Sequence, residues 1–278
     1  MKQKRGDTLI EVALAIGIFS LVAIVIVSVV SASTSGAQSS LELTLTREEL
    51  DAQAEALRFI HDSYVSGSQS KDTKENVYSD LWNNITGLAI DEPPDKTTDY
   101  AKAILNYNPE TCSSIYNGSG SVNNLANSGG RNPTPFIINA RNINGIKDYG
   151  SGSGGMETFI KENVVIANGT QAVFRAPETY PRILYGTATA GTTTGGDQSL
   201  QDQTEDNNTK IQLVEGLYII GVKGESNIVD GGNPTANATL KPAYYDFYIR
   251  SCWMPVGSDR ASTISTVVRL YDPAVIIY

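Results

Sequence analysis

Apolar and polar residues follow three successive patterns along this chain. The first is an uninterrupted apolar run: no charged side chain lies between Val12 and Leu41, and residues 12–30 are almost wholly aliphatic. As an α-helix, residues 12–30 would be about 28 Å long, which is close to the hydrocarbon thickness of a bilayer. This run therefore predicts a helix that can cross a membrane.

The second pattern follows directly and is amphipathic. An apolar stripe repeats every seven residues at Leu43, Leu50, Leu57 and Tyr64, while charged residues occupy the other face. This spacing is typical of a helix with one buried side. Because proline, which breaks helices, first occurs at Pro93, we predict one helix from about residue 8 to about residue 64, with residues 31–36 as the place where it could bend.

The third pattern lies beyond Gly67 and mixes short helices with strands. Residues 74–90 predict an amphipathic helix, and the segment DYAKAILNY predicts another. Residues 113–155 are rich in Ser, Gly and Asn and predict a long loop that holds a short strand at Phe136–Ile138. The polar stretch TATAGTTTGGDQSLQDQTEDNNT predicts a second long loop.

Four further segments carry strand signals. Asn168-Gly169 lies between two apolar runs and predicts a hairpin. IQLVEGLYIIGVKG predicts one long strand or a tight hairpin at Glu215-Gly216. YYDFYIRSCWM and STISTVVRLYD predict a final antiparallel pair around Pro255 and Gly257. The expected fold class is α+β, with a long N-terminal helix packed on a C-terminal antiparallel β-sheet with long loops.

Charge and cysteine content restrict the compartment and the partners. The net charge is −9, so we expect no general attraction to nucleic acid or anionic lipid. Lys2, Lys4 and Arg5 precede the apolar run, which places the N-terminus in the cytoplasm and the later residues outside. Cys112 and Cys252 would both lie outside, where a disulfide between them is expected, two buried free thiols being the alternative.

A secretory signal peptide is the competing interpretation of the apolar run. Ser31-Ala32-Ser33 has the small residues of a cleavage site. The apolar region of a signal peptide usually spans only about 7–15 residues. The run here is longer, so the sequence favours a retained helix.

The N-terminal residues resemble the type IV prepilin family. A short basic leader ends in Gly6, Thr8 to Glu11 spell TLIE, and the apolar run follows at once. The resemblance implies a leader of residues 1–6, a transmembrane and filament-core helix over 7–35, an amphipathic extension over 36–66 and an extracellular head over 67–278. It also implies cleavage after Gly6 by a prepilin peptidase and possible N-methylation of Asp7, the new first residue. Cleavage there would destroy the Arg-Gly-Asp tripeptide.

Glu11 is the expected assembly residue. A carboxylate inside a bilayer costs a few kcal/mol, so such a group usually has a partner. The α-amine of a neighbouring subunit can supply one, which would set the register of helices in a filament; a Glu that reaches to interfacial water is the alternative. Asp7 departs from the family, which most often has Phe there. Asp7 is also four residues from Glu11, so the two carboxylates repel each other and compete for one amine.

Other candidate chemistry is weaker. His61 is the single histidine and is expected to be a packed or rim residue. Asp202, Glu205 and Asp206 offer oxygen ligands for Ca²⁺ but lack an EF-hand pattern. Alternation places Tyr245, Phe247, Ile249 and Trp253 on one strand face, which favours a core over an adhesive aromatic surface. Five Asn-x-Ser/Thr acceptor matches begin at Asn84, Asn117, Asn168, Asn207 and Asn237.

The expected function is structural, with no enzymatic activity, cofactor or metal. By its length, the chain is expected to be a minor pilin that primes assembly, or contacts a surface, DNA or another cell. Its expected partners are other pilin subunits, the prepilin peptidase, and the assembly platform with its ATPase. It would sit in the cytoplasmic membrane and then in a cell-surface pilus. A major pilin, a type II secretion pseudopilin and a single-pass anchored binding protein stay open.

Overall fold

The structure is a computed structural model, and it describes residues 7–68, 77–91, 112, 134–142, 160, 162–167, 172–186, 211–224 and 244–272. The chain divides into two compact units, Met1–Thr44 and Leu45–Tyr278. The elements, in chain order, are α1 (Asp7–Ser68), α2 (Val77–Gly87), β1 (Ile90–Asp91), β2 (Phe136–Ile138), β3 (Val164–Ile166), β4 (Val173–Arg175), β5 (Arg182–Tyr185), β6 (Ile211–Glu215), β7 (Leu217–Lys223), β8 (Tyr244–Trp253) and β9 (Ser262–Tyr271).

The second unit contains two sheets. A six-stranded sheet has the order β3-β2-β7-β8-β9, with β1 paired in parallel to one end of β7. A three-stranded sheet has the order β4-β6-β5, in which β4 and β6 are parallel. The remaining pairs are antiparallel. The long N-terminal helix and the mainly antiparallel sheet confirm the α+β class.

The core of the second unit forms where α1 and α2 meet the large sheet. The helix stripe of Leu50, Leu57 and Ile60 is almost completely buried. Trp82 of α2 makes edge contacts with Phe247 of β8 at a ring separation of 6.0 Å. Complete burial of each large apolar side chain contributes about 1.5–3 kcal/mol relative to exposure.

One side chain of α1 completes the hydrogen bonding of a strand. Gln53 lies on the buried stripe, three residues after Leu50 and four before Leu57. Its Nε2 donates to the carbonyl oxygen of Ile138 at 2.9 Å, and its Oε1 accepts from the Ile138 amide at 2.9 Å. Strand β2 pairs with β7 only at Phe136. Gln53 therefore takes the place of a strand partner where that pairing has ended.

The final antiparallel pair forms as predicted. Strands β8 and β9 pair without a break from Tyr244 opposite Tyr271 to Trp253 opposite Ser262. Tyr245, Phe247 and Ile249 of β8 are buried, which agrees with a core face. The short strand at Phe136–Ile138 and the helix within residues 74–90 are also present.

The hairpin predicted at Asn168-Gly169 is wrong. Strand β3, which precedes these residues, pairs with β2, whereas β4, which follows them, pairs with β6 in the other sheet. The prediction rests on the adjacency of the two apolar runs in sequence, which does not determine strand pairing. Their actual partners are β2 and β6.

Neither alternative for residues 211–224 is correct. The chain forms β6 and β7, which belong to different sheets, with Gly216 between them at φ 67°. The Gly216 amide donates to Arg175 O and its carbonyl oxygen accepts from the Cys252 amide, both at 2.9 Å. A Cβ at this position would lie 2.5 Å from Cys252 O. Glycine is required here because the backbone turns in the left-handed region and contacts another strand closely.

Candidate functional site

The candidate site is the apolar surface of α1 in the first unit. Within residues 10–41 every side chain except the half-buried Ala23 is exposed. Ile10, Phe19 and Leu21 have exposed fractions of 73%, 74% and 65%. The exposed residues lie on all sides of the helix, whereas a helix at the surface of a soluble protein usually has a single apolar stripe.

Both hydroxyl groups within residues 12–30, and that of Thr34 beyond them, are hydrogen-bonded within the helix. Ser20 donates to Ile16 O at 2.8 Å, Ser28 to Ile24 O at 2.9 Å and Thr34 to Val30 O at 2.9 Å. A hydroxyl that bonds the carbonyl four residues earlier leaves no unsatisfied donor on the helix surface. Residues 12–30 therefore suit surroundings without water, where each unsatisfied polar group is costly.

By length and composition, α1 can cross a membrane, and among the described helices only α1 can. Glu11 is exposed near the start of this apolar surface. Within the described part of the chain, Glu11 is the only ionisable residue between Thr8 and Leu41.

The other predicted processing residue is at the start of α1. The helix begins at Asp7, one turn before Glu11. Gly6 and the basic residues before it lie outside the described residues, so the predicted cleavage after Gly6 stays a prediction.

The two cysteines come together in the second unit. The sulfurs of Cys112 and Cys252 lie at bonding distance, with their Cα atoms 5.7 Å apart. Both residues are buried. This contact agrees with the predicted pairing, which joins positions 140 residues apart in sequence.

His61, which lies on α1, packs against the last strand, β9. Its Nε2 lies 2.8 Å from the carbonyl oxygen of Tyr271, and its ring contacts the edge of Trp82 at 5.1 Å between centroids. Beside it is an open groove of about 360 Å³, lined by Arg58, His61, Asp62, Val65, Arg269, Leu270 and Tyr271. The single histidine is thus a packed residue at the rim of a groove, as predicted.

A buried carboxylate that the sequence did not indicate is Glu215. Its side chain has no exposed surface. Arg175 Nε donates to its Oε1 at 2.8 Å, and Arg182 Nε donates to its Oε2 at 2.6 Å. Both arginines lie on strands that flank β6. The pairing neutralises a buried charge and joins all three strands of the small sheet, and only the strand order brings these three residues together.

A second ionisable cluster lies where α1 meets β5. The Arg141 guanidinium lies 4.2 Å from the centroid of the Tyr185 ring. Burial raises the pKa of Tyr185 to about 12, with the Glu49 carboxylate adding to the rise and Arg141 opposing it. Burial also raises the pKa of Glu49. These groups are partly covered and mutually compensated, which is the pattern of a structural contact.

The remaining candidate ligands are mostly outside the described residues. Asp202, Glu205 and Asp206 are among these, as are the acceptor matches other than Asn84, which is exposed on α2. The segment DYAKAILNY is likewise not described. Among the residues that are described, no group of three or more His, Cys, Asp or Glu side chains could hold a metal ion.

Comparison with known proteins found no match: no protein-family model, no curated protein and no solved structure matches this chain. Its function is therefore inferred from the residues and their geometry.

Proposed function

We propose that this protein is a structural subunit of a type IV pilus or a related filament, and more specifically a minor pilin. The observation that carries the proposal is the surface of α1: a stretch that is apolar on every side and bears one carboxylate, Glu11, near its start. A membrane helix needs only the apolar surface. The carboxylate is an added cost that calls for a partner.

The residues around Glu11 support an intersubunit role. The described part of the chain offers Glu11 no ion pair. Cleavage after Gly6 would create an α-amine at Asp7, one turn away. The amine of a neighbouring helix, displaced along the filament axis, would pair with Glu11 and neutralise it in an apolar core. Formation of this pair would select one register for helix packing.

The proposed steps of processing and assembly lead to this pair. The helix first anchors the protein in the cytoplasmic membrane, with its N-terminus in the cytoplasm. A prepilin peptidase removes residues 1–6, and an ATPase-driven platform moves the subunit into a filament. The second unit then faces outward. The proposed work is mechanical, with no reaction of its own.

The test compares Glu11→Ala with Glu48→Ala, which removes an exposed carboxylate from the second unit's part of the same helix. Both variants should enter the membrane in normal amounts. Glu11→Ala should be lost from sheared filaments, whereas Glu48→Ala should be incorporated normally. Immunoblots of the membrane and filament fractions measure both quantities. Equal incorporation of the two variants would contradict the assembly role.

The first residue of the mature chain distinguishes a processed pilin from an anchored binding protein. Mass spectrometry of the filament fraction should find a chain that begins at Asp7 and should show whether its amine is methylated. A chain that keeps Met1 to Gly6 and stays in the membrane would support an anchored binding protein. High abundance in filaments would indicate a major pilin, and dependence on a secretion gene cluster would indicate a pseudopilin.

A further inference from the structure

Strand β9 is an unusual sheet edge in this molecule. The other described outer strands are β1, of 2 residues, β3 and β4, each of 3 residues, and β5, of 4 residues. Strand β5 also has a register shift at Leu184/Tyr185. Short and irregular edges resist pairing with other chains. Strand β9, by contrast, has 10 residues and pairs regularly with β8 over its whole length.

Residues 262–268 of β9 lack the usual guards against edge pairing. Residues 262–268 read STISTVV, with no charge and no proline. Natural sheets usually protect an exposed edge with lysine, proline or a bulge. Val267 on the outer face of β9 is 49% exposed, and Tyr271 is 55% exposed. A long, regular edge that is uncharged over residues 262–268, with Arg269 as its one charged residue, is suited to β-strand addition.

The hydrogen bonds show which backbone groups point to the open edge. The carbonyl oxygen of Tyr271 accepts a hydrogen bond from His61 of α1. The carbonyl oxygen of Ile264 faces β8, where it accepts from Ser251 Oγ at 3.3 Å. Backbone groups alternate between the two sides of a strand. Thr263, Ser265 and Val267 therefore present their amide and carbonyl groups outward. No strand in the described part of the chain pairs with this edge.

We propose that two copies of this chain form a dimer through β9, which joins their large sheets into one. The second copy's β9 runs antiparallel across a twofold axis, with Ser265 opposite Ser265 and Thr263 opposite Val267. In this register three pairs of outward-facing residues exchange about six backbone hydrogen bonds. The dimer involves the second unit alone and does not depend on the proposed filament function.

Charge favours a second copy in this register. Arg269 would face Ala261 of the second copy, so no arginine opposes another. Asp259, which is exposed in the turn before β9, would follow the end of the paired strands on the side of the second copy's Arg269, a residue of opposite charge. Arg269 is already held by Asp246, with two bonds of 2.7 Å, so its position is fixed before association. His61 occupies Tyr271 O and limits the edge at that end.

Cysteine cross-linking in the membrane tests the register with the full chain. In a hydrogen-bonded antiparallel pair the Cα atoms are about 5.5 Å apart, which a disulfide can span. Ser265→Cys should therefore give a covalent dimer on mild oxidation. Thr263→Cys and Val267→Cys should not cross-link when each is expressed alone, but should form a mixed dimer when expressed together. Ser258→Cys, an exposed position in the β8–β9 turn, is the control.

A second pair of variants tests the edge without cysteine. Ser265→Lys places two ammonium groups at the axis and should reduce the dimer fraction in detergent about tenfold, because like charges directly opposite are destabilising. Ser265→Thr should keep the dimer. An intact Cys112–Cys252 bond in both variants verifies that they fold.

Three results would overturn the dimer. They are a wild-type chain that is monomeric at every concentration, equal cross-linking at Ser258→Cys and Ser265→Cys, and a cross-link from Ser265→Cys to a different protein. Strong cross-linking of Thr263→Cys or Val267→Cys alone would overturn the twofold register.

Discussion

The two ends of α1 share one helical backbone and have opposite surroundings. Around Leu21 the helix exposes apolar side chains on every side, whereas around Leu57 the apolar stripe is buried and most of the exposed side chains are charged. Helix propensity does not explain the difference, because both segments are helical. The distribution of charge does: the first segment has no polar face to turn to water, and the second has one. One helix can therefore have a fully apolar surface in one segment and a buried apolar stripe in the other, because its sequence changes pattern near residue 42.

The comparison predicts that a single new carboxylate has opposite consequences in the two segments. Ala54→Asp places an unpaired charge at a position that is 4% exposed, which should prevent folding of the second unit because desolvation is not compensated. Val25→Asp, at a position that is 53% exposed, should leave that unit folded and oppose membrane insertion by about 2.5–3.5 kcal/mol. Protease resistance of the second unit and carbonate extraction of membranes measure the two effects. Loss of protease resistance in Val25→Asp would show that the segments are not independent.

Truncation of an apolar side chain should also affect the stability of the two segments differently, with a smaller difference than a new carboxylate. Leu57 has no exposed surface, so Leu57→Ala should lower the free energy of unfolding by about 2–5 kcal/mol through lost burial and a cavity. Leu21→Ala should change it by less than about 0.5 kcal/mol, because Leu21 is 65% exposed. Denaturant unfolding of the full chain in detergent, followed by the fluorescence of buried Trp82 and Trp253, measures both. Equal losses would contradict the assignment of the two surfaces.

The features that were predictable from sequence depend on local periodicity. The apolar run, the seven-residue stripe of α1 and the alternation in β8 each fix a buried or exposed face over many neighbouring residues. The partners of β3 and β6 were not predictable, because pairing is decided by distant segments that compete for the same edge. Glu215 gave no signal for the same reason: Arg175 and Arg182 approach it only through the strand order.

The functional and buried polar residues likewise divide into those that were predictable from sequence and those that were not. The position of Glu11 in an uncharged run was readable from sequence, and so was the even number of cysteines. Gln53 was missed although it gave a signal, since it is a polar residue on the buried stripe between Leu50 and Leu57. A polar residue in such a position calls for a buried partner. The partner, the backbone of Ile138, could be identified only from the fold.

Polar side chains in the two segments provide a third test of the comparison. Gln53→Ala leaves the buried amide and carbonyl of Ile138 without their bonds from α1, which should lower the free energy of unfolding by about 2–4 kcal/mol. Ser20→Ala removes only a bond to the carbonyl of its own helix and should be nearly neutral. The same fluorescence measurement applies. Stability of Gln53→Ala within about 0.5 kcal/mol of wild type would show that water replaces the amide there.

The smallest expected effect concerns Tyr185 of β5, which interacts electrostatically with Glu49 in the packed segment of α1, and it depends on pH. Burial raises the pKa of Tyr185 from 10.0 to about 12. Because the folded state holds this proton more tightly, its contribution to stability is complete below about pH 10 and is lost as pH rises toward about 12, by about 2 kcal/mol after allowance for partial exposure. Tyr185→Phe should remove this part of the alkaline loss while keeping the ring beside Arg141. Denaturant unfolding of wild type and Tyr185→Phe at pH 9 and pH 12 measures this loss of stability. The difference between the two proteins isolates Tyr185, because both contain the other tyrosines with raised pKa values, Tyr64, Tyr78 and Tyr245. Parallel losses in the two proteins would mean that Tyr185 ionises normally and that its contact with α1 is open to water.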